Sequence, residues 1–239
     1  MTCLGFSFKK LYKLNILLNF VTNSRTLSKK QVISVIAIAD DVYILSFARD
    51  FAFRAGQVVA IDLVPDGQPR LYSIASGEYD TNVEILFDER PDGQLTPLLS
   101  NLKAGDTIYV SEPFGTFQCN KQEAVWIAAG TGVAPFVSMM RSGLGFNKTL
   151  IHGGRVDANF YYSAELEPLL NSRYIRCCSQ QEETRYFRGR LTEWLGNQTN
   201  LSTKIQYYLC GSAEMVVQVR DILIDKGVPF RNIISETYF

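Results

Sequence analysis

A short stretch in the first half of the chain carries side chains whose types and spacing suit chemistry. Arg70, Tyr72 and Ser73 stand together at the end of a run rich in strand-forming residues. The guanidinium of Arg70 is a planar fork of donors that fits a phosphate. The ring of Tyr72 can lie along a flat heterocycle, and the hydroxyl of Ser73 is a small donor and acceptor. An exposed strand could have the same composition, so the motif needs support from the rest of the chain.

A glycine turn in the second half gives that support. Ala124–Ala129 is an almost continuous apolar run, as expected of a parallel strand buried on both faces. It leads into Gly130-Thr131-Gly132 and then into a helical pattern with Pro135 in its first turn. Strand, glycine turn and helix form the context in which a backbone can approach a pyrophosphate closely. Pro135 replaces the third glycine of the common dinucleotide fingerprint, so the turn predicts nucleotide binding through a variant motif.

Two other positions could contact a ligand. Thr96 followed by Pro97 predicts the start of a helix that runs to Leu102, and the free N–H groups at such a start suit a phosphate. The alternative is a helix that only closes one end of a barrel. Cys210 precedes Gly211 at the carboxyl end of a predicted parallel strand, where α/β proteins place ligand contacts. As a small, soft residue, Cys210 could equally serve packing.

The elements that must position these residues form two groups, and the pattern changes near residues 119–122. Before the change, six short strands with turns about every 8–12 residues predict a closed, antiparallel six-stranded β-barrel. After it, strands alternate with helices, which predicts an α/β domain with a five-stranded parallel sheet and helices on both faces. We therefore expect two domains, residues 28–120 and residues 121–239, after a basic extension over residues 1–27.

Strand geometry poses one question about the first motif. Strict alternation would put Arg70 and Tyr72 on one face of the strand and Ser73 on the other. For all three to reach one ligand, the strand must end or kink near Ser73, or Ser73 must reach the ligand at a sheet edge.

Composition narrows the classes of function. The 239 residues are 46% hydrophobic and 20% charged, as in an ordinary globular chain, and their formal net charge is zero. This charge gives no reason to expect nucleic acid or a membrane surface as a partner. Five cysteines without metal-like spacing favour a reduced, intracellular compartment, exclude a plant-type iron–sulfur cluster and predict no metal site. His152 is the sole histidine, so a His-based triad is excluded, and we interpret this residue as structural.

Charge is unevenly placed at the start of the chain. Before Asp40 there are six Lys and Arg residues and no acid. Residues 1–27 could form an organelle transit peptide, but we prefer a mobile basic tail or a start codon placed too early. The apolar run Leu14–Phe20 is too short to span a bilayer, so no transmembrane segment is predicted. The expected location is cytoplasmic, or an organelle stroma or matrix if the extension is a transit peptide.

From about Ser28 to its last residue, the chain resembles the ferredoxin–NADP reductase superfamily of flavoproteins, and in pattern most closely the ferredoxin/flavodoxin–NADP reductases. In that family Arg-x-Tyr-Ser/Thr holds the flavin, Gly-x-x-Ser/Thr binds its pyrophosphate, and Gly-Thr-Gly-x-Ala-Pro holds the nicotinamide nucleotide. The matching residues are Arg70-Leu71-Tyr72-Ser73, Gly93-Gln94-Leu95-Thr96 and Gly130-Thr131-Gly132-Val133-Ala134-Pro135. The resemblance implies FAD in the barrel, rather than FMN because of the second phosphate site, and NADPH or NADH in the α/β domain.

The resemblance also implies contacts around the nicotinamide. Members of the family place a Cys-Gly against it, which gives Cys210 and Gly211 a contact role rather than a nucleophilic one. Photosynthetic-type members end in Glu-x-Tyr, with the ring stacked on the isoalloxazine and the Glu beside the nicotinamide site. Glu236 and Tyr238 match that ending, and Phe239 adds one residue. The alternative is a frayed terminus whose aromatic pair packs on the barrel.

The choice between NADPH and NADH is implied by the segment after the third strand of the α/β domain. NADP-specific members carry Ser-Arg there and a Tyr a few residues on, to hold the 2′-phosphate. Here Gln180 follows Ser179, which removes one cation, and Arg185 with Tyr186 could do the same work. NADPH is therefore favoured. An Arg shortly after the second strand is also common in the family and corresponds to Arg155.

The function implied is an FAD-dependent NAD(P)H oxidoreductase that exchanges electrons with a one-electron carrier such as a ferredoxin or flavodoxin. The residues expected to take part directly are Ser73, Cys210, Glu236 and Tyr238. One alternative is an NAD(P)H:flavin reductase or the reductase component of an oxygenase. A non-enzyme alternative is an electron-transfer subunit of a fixed complex. A monomer is expected.

Overall fold

The structure is a computed structural model that describes residues 26–238 and the side chains of residues 26–237. Residues 1–25 lie outside the described part, and so do Phe239 and the side chain of Tyr238. The transit-peptide and basic-tail interpretations fall almost wholly on these first residues. The expected stacking of a terminal aromatic ring concerns Tyr238 and Phe239, whose side chains also lie outside the described part.

The first half of the chain is a six-stranded antiparallel β-barrel. Its strands are β1 (Leu27–Ala39), β2 (Val42–Ala48), β3 (Val58–Asp62), β4 (Arg70–Ser73), β5 (Asn82–Asp88) and β6 (Thr107–Ser111). They follow the order β4-β3-β6-β1-β2-β5, with every pairing antiparallel. A bridge between Ile74 and Ile85 joins the two edges and closes the barrel. The predicted barrel and its strand number are confirmed.

Alternating apolar side chains fill the barrel. The largest fully buried ones come from several strands, from the residue after β4 and from one short helix, and they are Leu45, Phe47, Ile61, Ile74, Ile85, Leu99 and Ile108. The turns between strands use the expected residues, because Asp41 has φ +58° and Gly56 has φ +92°. Every second side chain of β2, β3, β5 and β6 enters this core, which explains why the sequence pattern predicted these strands well.

The helix between β5 and β6 differs from the prediction. Helix α1 covers only Thr96–Leu99, and its N-cap is Leu95 rather than Thr96. The Thr96 hydroxyl instead accepts a hydrogen bond of 2.8 Å from the Arg90 amide. Ser100 and Asn101 both donate side-chain hydrogen bonds to the Pro97 carbonyl. Such local bonds compete with helix propagation, which explains why the helix does not run to Leu102.

The second half is an α/β domain built on a parallel sheet. Its strands are β7 (Ala124–Ala129), β8 (Lys148–Gly154), β9 (Tyr174–Cys178), β10 (Phe187–Arg188), β11 (Gln206–Ser212) and β12 (Ile233–Tyr238), in the order β10-β9-β8-β7-β11-β12. The predicted number of strands, five, is wrong by one because β10 was missed. A strand of two residues has no periodicity, and it forms only through its pairing with β9.

Helices cover both faces of this sheet, as predicted. They are α2 (Ala134–Met139), α3 (Ser163–Leu170), α4 (Leu191–Gly196) and α5 (Ala213–Asp225), with short 3₁₀ turns at Gly130–Val133, Asp157–Asn159, Asn171–Arg173 and Phe230–Asn232 and a π turn at Met140–Leu144. Neighbouring residues of β7 point to opposite faces. Trp126 packs with α2 and α3, and Ile127 packs with α4 and α5. None of the helices within residues 26–238 has the length and hydrophobicity of a membrane-spanning segment.

The barrel and the sheet share an apolar interface. Phe117, in the connection between the two halves, packs edge-on against Phe136 of α2 and Tyr208 of β11. Ala75 and Leu86 of the barrel belong to the same buried cluster. The two halves are therefore in direct contact, with the end of β4 facing the sheet.

Candidate functional site

The first motif lies at the end of a short strand. β4 contains only Arg70–Ser73, so the alternation question is resolved because the strand ends at Ser73. Arg70 is exposed, whereas Tyr72 and Ser73 are buried. The Tyr72 ring packs edge-on against Phe87 of the barrel core, and its buried hydroxyl has no hydrogen-bond partner within residues 26–238. An unpartnered buried hydroxyl calls for a ligand or a water molecule.

A cavity of about 420 Å³ joins the first motif to the Gly93–Thr96 segment. Arg70, Gln94 and Leu95 line it, together with the loop between β3 and β4. A tight turn shapes the segment, because the Gly93 amide donates to the Arg90 carbonyl at 2.7 Å. A Cβ on Gly93 would lie 2.9 Å from that carbonyl oxygen and 3.1 Å from the Thr96 hydroxyl oxygen. One residue of the first predicted flavin motif, Arg70, and two of the second, Gln94 and Leu95, thus line the same cavity.

The glycine turn lies at the carboxyl edge of the parallel sheet. Gly130 has φ +55°, and the turn from Gly130 to Val133 leads directly into α2 with Pro135 buried in its first turn. A Cβ on Gly132 would lie 2.3 Å from the Cys210 carbonyl oxygen and 2.8 Å from the Gly211 Cα. The backbone therefore approaches the end of β11 so closely that only glycine fits at residue 132.

His152 supports this turn from below. Its Nε2 lies 3.3 Å from the Gly130 carbonyl oxygen, and its Nδ1 lies 2.9 Å from the Tyr174 hydroxyl. Burial lowers the pKa of His152 to about 4, so the ring is neutral near pH 7. Because a carbonyl only accepts, Nε2 carries the proton and Nδ1 accepts from Tyr174. His152 therefore has a defined structural role, because its ring holds the Gly130 carbonyl in place by a hydrogen bond.

Ser73 and Glu236 meet where the barrel faces the sheet. The Ser73 hydroxyl donates to Glu236 Oε2 at 2.9 Å. Glu236 pairs with Cys210 across β11 and β12, so Ser73, Cys210 and Glu236 come together. Burial raises the pKa of Glu236 to about 7, although the Ser73 hydrogen bond acts in the opposite direction. Near neutral pH the carboxyl can therefore hold or release a proton at this point.

Glu236 should make the protein less stable as pH rises. Its pKa rises from an ordinary 4.5 to about 7 in the folded state, so the folded protein holds this proton more tightly than the unfolded chain. The resulting stabilisation is fully present below pH 4.5 and is lost as pH rises through about 7. We expect Glu236→Gln to flatten the fall in thermal midpoint across this range. Exposed Glu112→Gln is the control, and equal slopes in wild type and Glu236→Gln would contradict the assignment.

The residues predicted for the far end of the nucleotide follow β8 and β9. The backbone amide and the hydroxyl of Ser179 both donate to the Gly154 carbonyl. The backbone amide of Gln180 donates to the carbonyl of Arg155, whose side chain is exposed. Arg185 Nε donates to the Tyr186 hydroxyl at 3.0 Å, and its guanidinium lies 5.1 Å from the ring centroid. These residues lie at the carboxyl ends of adjacent strands, and β10 places Tyr186 beside them.

Sequence reasoning missed Arg176 in this group. Its guanidinium stacks between the rings of Tyr174 and Tyr186, at 4.5 and 4.1 Å from their centroids, and pairs with Glu167 at 2.9 Å. Glu167 also lies 3.7 Å from Arg185. A strand pattern shows only that Arg176 alternates with apolar neighbours, so the sequence contains no sign of this stack.

Within the part of the chain that the structure describes, no three His, Cys, Asp or Glu side chains are grouped to hold a metal ion. The described cysteines, residues 119, 177, 178 and 210, form no disulfide with one another. The groups that the site presents to ligands include the guanidinium, hydroxyl and carboxyl side chains and the glycine turn.

Comparison with known proteins identifies both halves of the chain. Residues 26–119 match the family model of the oxidoreductase FAD-binding domain, and residues 126–221 match that of the oxidoreductase NAD-binding domain. The crystal structure of a ferredoxin NADP⁺ reductase from Neisseria gonorrhoeae with bound FAD and NADP has the same fold. Its TM-score is 0.81 at 22% identity, over 90% of this chain and 99% of that one.

Two curated relatives extend the comparison. The flavodoxin/ferredoxin–NADP reductase of Rhodobacter capsulatus is 30% identical over 207 residues, which cover 74% of this chain and 77% of that protein. The toluate 1,2-dioxygenase electron transfer component of Pseudomonas putida is 26% identical over 229 residues, which cover 91% of this chain and 66% of that protein. This chain therefore spans about two thirds of the second relative's length. With both domain families matched in chain order, the protein belongs to the ferredoxin–NADP reductase superfamily of FAD- and NAD(P)-binding oxidoreductases.

Proposed function

We propose that this protein is an FAD-dependent reductase that exchanges electrons between NADPH or NADH and a one-electron carrier such as a ferredoxin or flavodoxin. The observation that carries the proposal is the contact between Ser73 and Glu236. It joins the end of the flavin motif to the edge of the nucleotide sheet, beside Cys210. A bound flavin supplies the conversion between a two-electron nicotinamide donor and a one-electron acceptor.

The residues of the barrel fit FAD. Arg70 donates no side-chain hydrogen bond and forms no ion pair within residues 26–238, so its fork is available to a phosphate. The unpartnered hydroxyl of Tyr72 and the cavity lined by Gln94 and Leu95 provide further contacts. We propose residues 28–120 as the FAD-binding domain, with Leu71, Gly93 and Thr96 shaping the two motifs.

The residues of the sheet fit a nicotinamide nucleotide. We propose that Gly130, Thr131 and Gly132 let the backbone approach the pyrophosphate. Cys210 and Gly211 would then border the nicotinamide, and Ser73 and Glu236 would orient it and hold a proton beside it. Residues 121–239 are proposed as the NAD(P)-binding domain, and Tyr238 as the ring that covers the flavin until the nicotinamide displaces it.

The electron acceptor is the part of the proposal that needs the most direct test. The Rhodobacter capsulatus relative is named for flavodoxin and ferredoxin, which supports a small electron-carrier protein. The purified protein should reduce cytochrome c with NADPH only when ferredoxin or flavodoxin is added. Equal reduction of free flavin without any carrier would identify an NAD(P)H:flavin reductase instead. Absence of both activities until other subunits are added would identify a subunit of a fixed complex.

A second candidate is the reductase component of an oxygenase. The Pseudomonas putida relative favours it because that protein is an electron transfer component of a dioxygenase. Residues 1–239 lack the Cys-x₄-Cys-x₂-Cys run of a plant-type cluster, so any such cluster that serves this role would lie outside these residues. Reduction of a purified oxygenase without any added carrier would support it over the first candidate.

The cations after β9 should set the preference for NADPH. Arg185 and Arg188 have side chains that are 70% and 68% exposed, and their carboxylate partners lie at 3.7 and 3.9 Å, so both are available to a 2′-phosphate. Loss of charge-assisted hydrogen bonds costs about 1.5–3 kcal/mol. Replacing both arginines with alanine should therefore reduce the NADPH/NADH ratio of kcat/KM by roughly tenfold or more.

A matched control is available at the opposite edge of the sheet. Arg231 is exposed and lies just before the start of β12, away from the carboxyl ends of the strands. Arg231→Ala should leave the nucleotide preference unchanged. An unchanged preference in the Arg185→Ala, Arg188→Ala double variant as well would exclude these residues as the 2′-phosphate site.

A further inference from the structure

Hydrogen bonds join α2, the helix after the glycine turn, to the barrel segment that follows β4. We call β4, which carries Arg70, Tyr72 and Ser73, the flavin strand. Ser138 of α2 donates its hydroxyl to the Ser76 carbonyl at 2.7 Å, and the Glu78 amide donates to the Ser142 hydroxyl at 2.9 Å. Gly77 lies against Arg141, because a Cβ on Gly77 would be 2.9 Å from the Arg141 Cβ. Three residues of one helical segment thus contact three consecutive residues of the barrel, residues 76–78.

Arg141 is the centre of this contact. Its Nη1 donates to Glu84 Oε2 of the barrel at 2.7 Å and to the Ala75 carbonyl at 3.3 Å. Its Nε and Nη2 donate to the two carboxylate oxygens of Glu165 in α3, both at 2.9 Å. The guanidinium also lies 5.1 Å from the ring centroid of Tyr162. One side chain therefore bonds to the barrel and to the sheet domain at the same time.

These contacts connect the two halves of the site by short stretches of chain. Ala75 lies just after Ser73 at the end of β4, and Ser138 lies in the helix that leaves Gly132. We define the interdomain clamp as Ser138, Arg141 and Ser142 together with their partners in residues 75–78 and with Glu84 and Glu165. A movement at the clamp would change the distance between the glycine turn and the flavin strand.

The apolar interface holds the two domains in contact, and the clamp sets their relative orientation. The packing of Phe117 against Phe136 and Tyr208 is non-directional and holds the domains together by burial alone. The bidentate fork to Glu165, within the α/β domain, fixes the geometry of the Arg141 guanidinium, so its bonds to Glu84 and to the Ala75 carbonyl of the barrel are directional. Loss of Arg141 should therefore leave the domains docked but their orientation less well defined.

We propose that Arg141 is a positioning residue that fixes the glycine turn relative to the flavin strand, so that nucleotide and flavin meet in one geometry. This inference rests on the proposed function. A displacement of about 1 Å between reacting groups can reduce a rate by roughly a hundredfold. The clamp therefore acts on the rate of flavin reduction rather than on the binding of either ligand.

The test uses Arg141→Lys in the full chain with FAD bound. We expect unchanged flavin content and a nucleotide Kd within about threefold of wild type, because the variant touches neither binding segment. The long-wavelength charge-transfer absorbance of the reduced protein with NADP⁺ should weaken, and the rate of flavin reduction in stopped flow should fall about tenfold to a hundredfold. Arg173→Lys is the control, since Arg173 bonds only to the Lys148 and Leu169 carbonyls within the sheet domain.

Gly77→Ala tests the same contact without changing a charge. Its added methyl group would press on Arg141, so it should reproduce the weaker absorbance and the slower reduction. Both variants should speed amide hydrogen exchange in residues 75–78. If Gly77→Ala keeps wild-type absorbance and rate, the proposal is overturned, even where Arg141→Lys fails to fold. If the wild-type protein binds both ligands but its flavin is not reduced, the proposed function is wrong. Amide hydrogen exchange in residues 75–78 would still show in that case whether the clamp forms.

Discussion

Replacing Arg70 with alanine should remove most of the bound flavin from the purified protein. Arg70 stands on the wall of the cavity that Gln94 and Leu95 also line, and its guanidinium is available to a phosphate. A charge-assisted hydrogen bond to a phosphate is worth about 1.5–3 kcal/mol. We therefore expect FAD affinity to fall roughly tenfold to a hundredfold. The measurement is the absorbance of flavin per protein after gel filtration, followed by titration of the apoprotein with FAD.

Two further variants give this result its meaning. Arg70→Lys keeps the charge but loses the planar fork, so it should retain flavin to an intermediate degree. Arg54→Ala is the matched control, because Arg54 is 73% exposed on the same barrel but pairs with Glu78 instead of lining the cavity. An Arg70→Ala protein that binds FAD as tightly as wild type would remove Arg70 from the proposed site.

Gly132→Ala should displace the glycine turn from β11 and weaken nucleotide binding, and Gly130→Ala should not displace it. A methyl group on Gly132 would lie 2.3 Å from the Cys210 carbonyl oxygen, so the turn must move away from β11. Overpacking of this kind costs up to about 3 kcal/mol of stability. The displaced turn should also weaken nucleotide binding by at least roughly tenfold. Thermal unfolding and titration with NADP⁺ measure the two effects separately.

Gly130 provides the comparison within the same turn. Its φ of +55° is in the left-handed region, but an added Cβ would meet no atom within 4 Å. Alanine there costs about 1–2 kcal/mol of backbone strain and creates no contact with β11. Equal loss of nucleotide affinity in Gly130→Ala and Gly132→Ala would show that backbone conformation, rather than the close approach to Cys210, decides the function of the turn.

Much of the fold could be predicted because its pattern is local. Strands β2 and β5 place every second side chain in the barrel core, as with Leu45 and Phe47 or Val83 and Ile85, and β7 is apolar along its whole length. The motif residues could be identified because their chemistry is evident from residue type, as with Arg70 and the glycines of the turn. Neither kind of signal requires knowledge of distant neighbours.

The parts that could not be predicted depend on partners remote in sequence. The Ser73–Glu236 bond joins residues 163 positions apart, and Arg141 takes its acceptors from three separate segments. The N-cap role assigned to Thr96 was wrong because the Arg90 amide occupies its hydroxyl oxygen. Strand β10 was not predicted because it is defined only by its pairing with β9. Such contacts leave no pattern in the sequence, since they exist only once the chain has folded.

The 163-residue separation of Ser73 and Glu236 also fixes an order of assembly during synthesis. The pairings of the barrel are complete once Ser111 has reached Leu27, whereas β12 joins the sheet only after the rest of the α/β domain has been made. Domains generally fold as units, the N-terminal one first. A nascent chain can therefore assemble its flavin pocket on the ribosome well before Glu236 arrives at Ser73. Cofactor loading can thus come before the closing contact of the site, and a chain released early would carry a flavin pocket without its completed nucleotide edge.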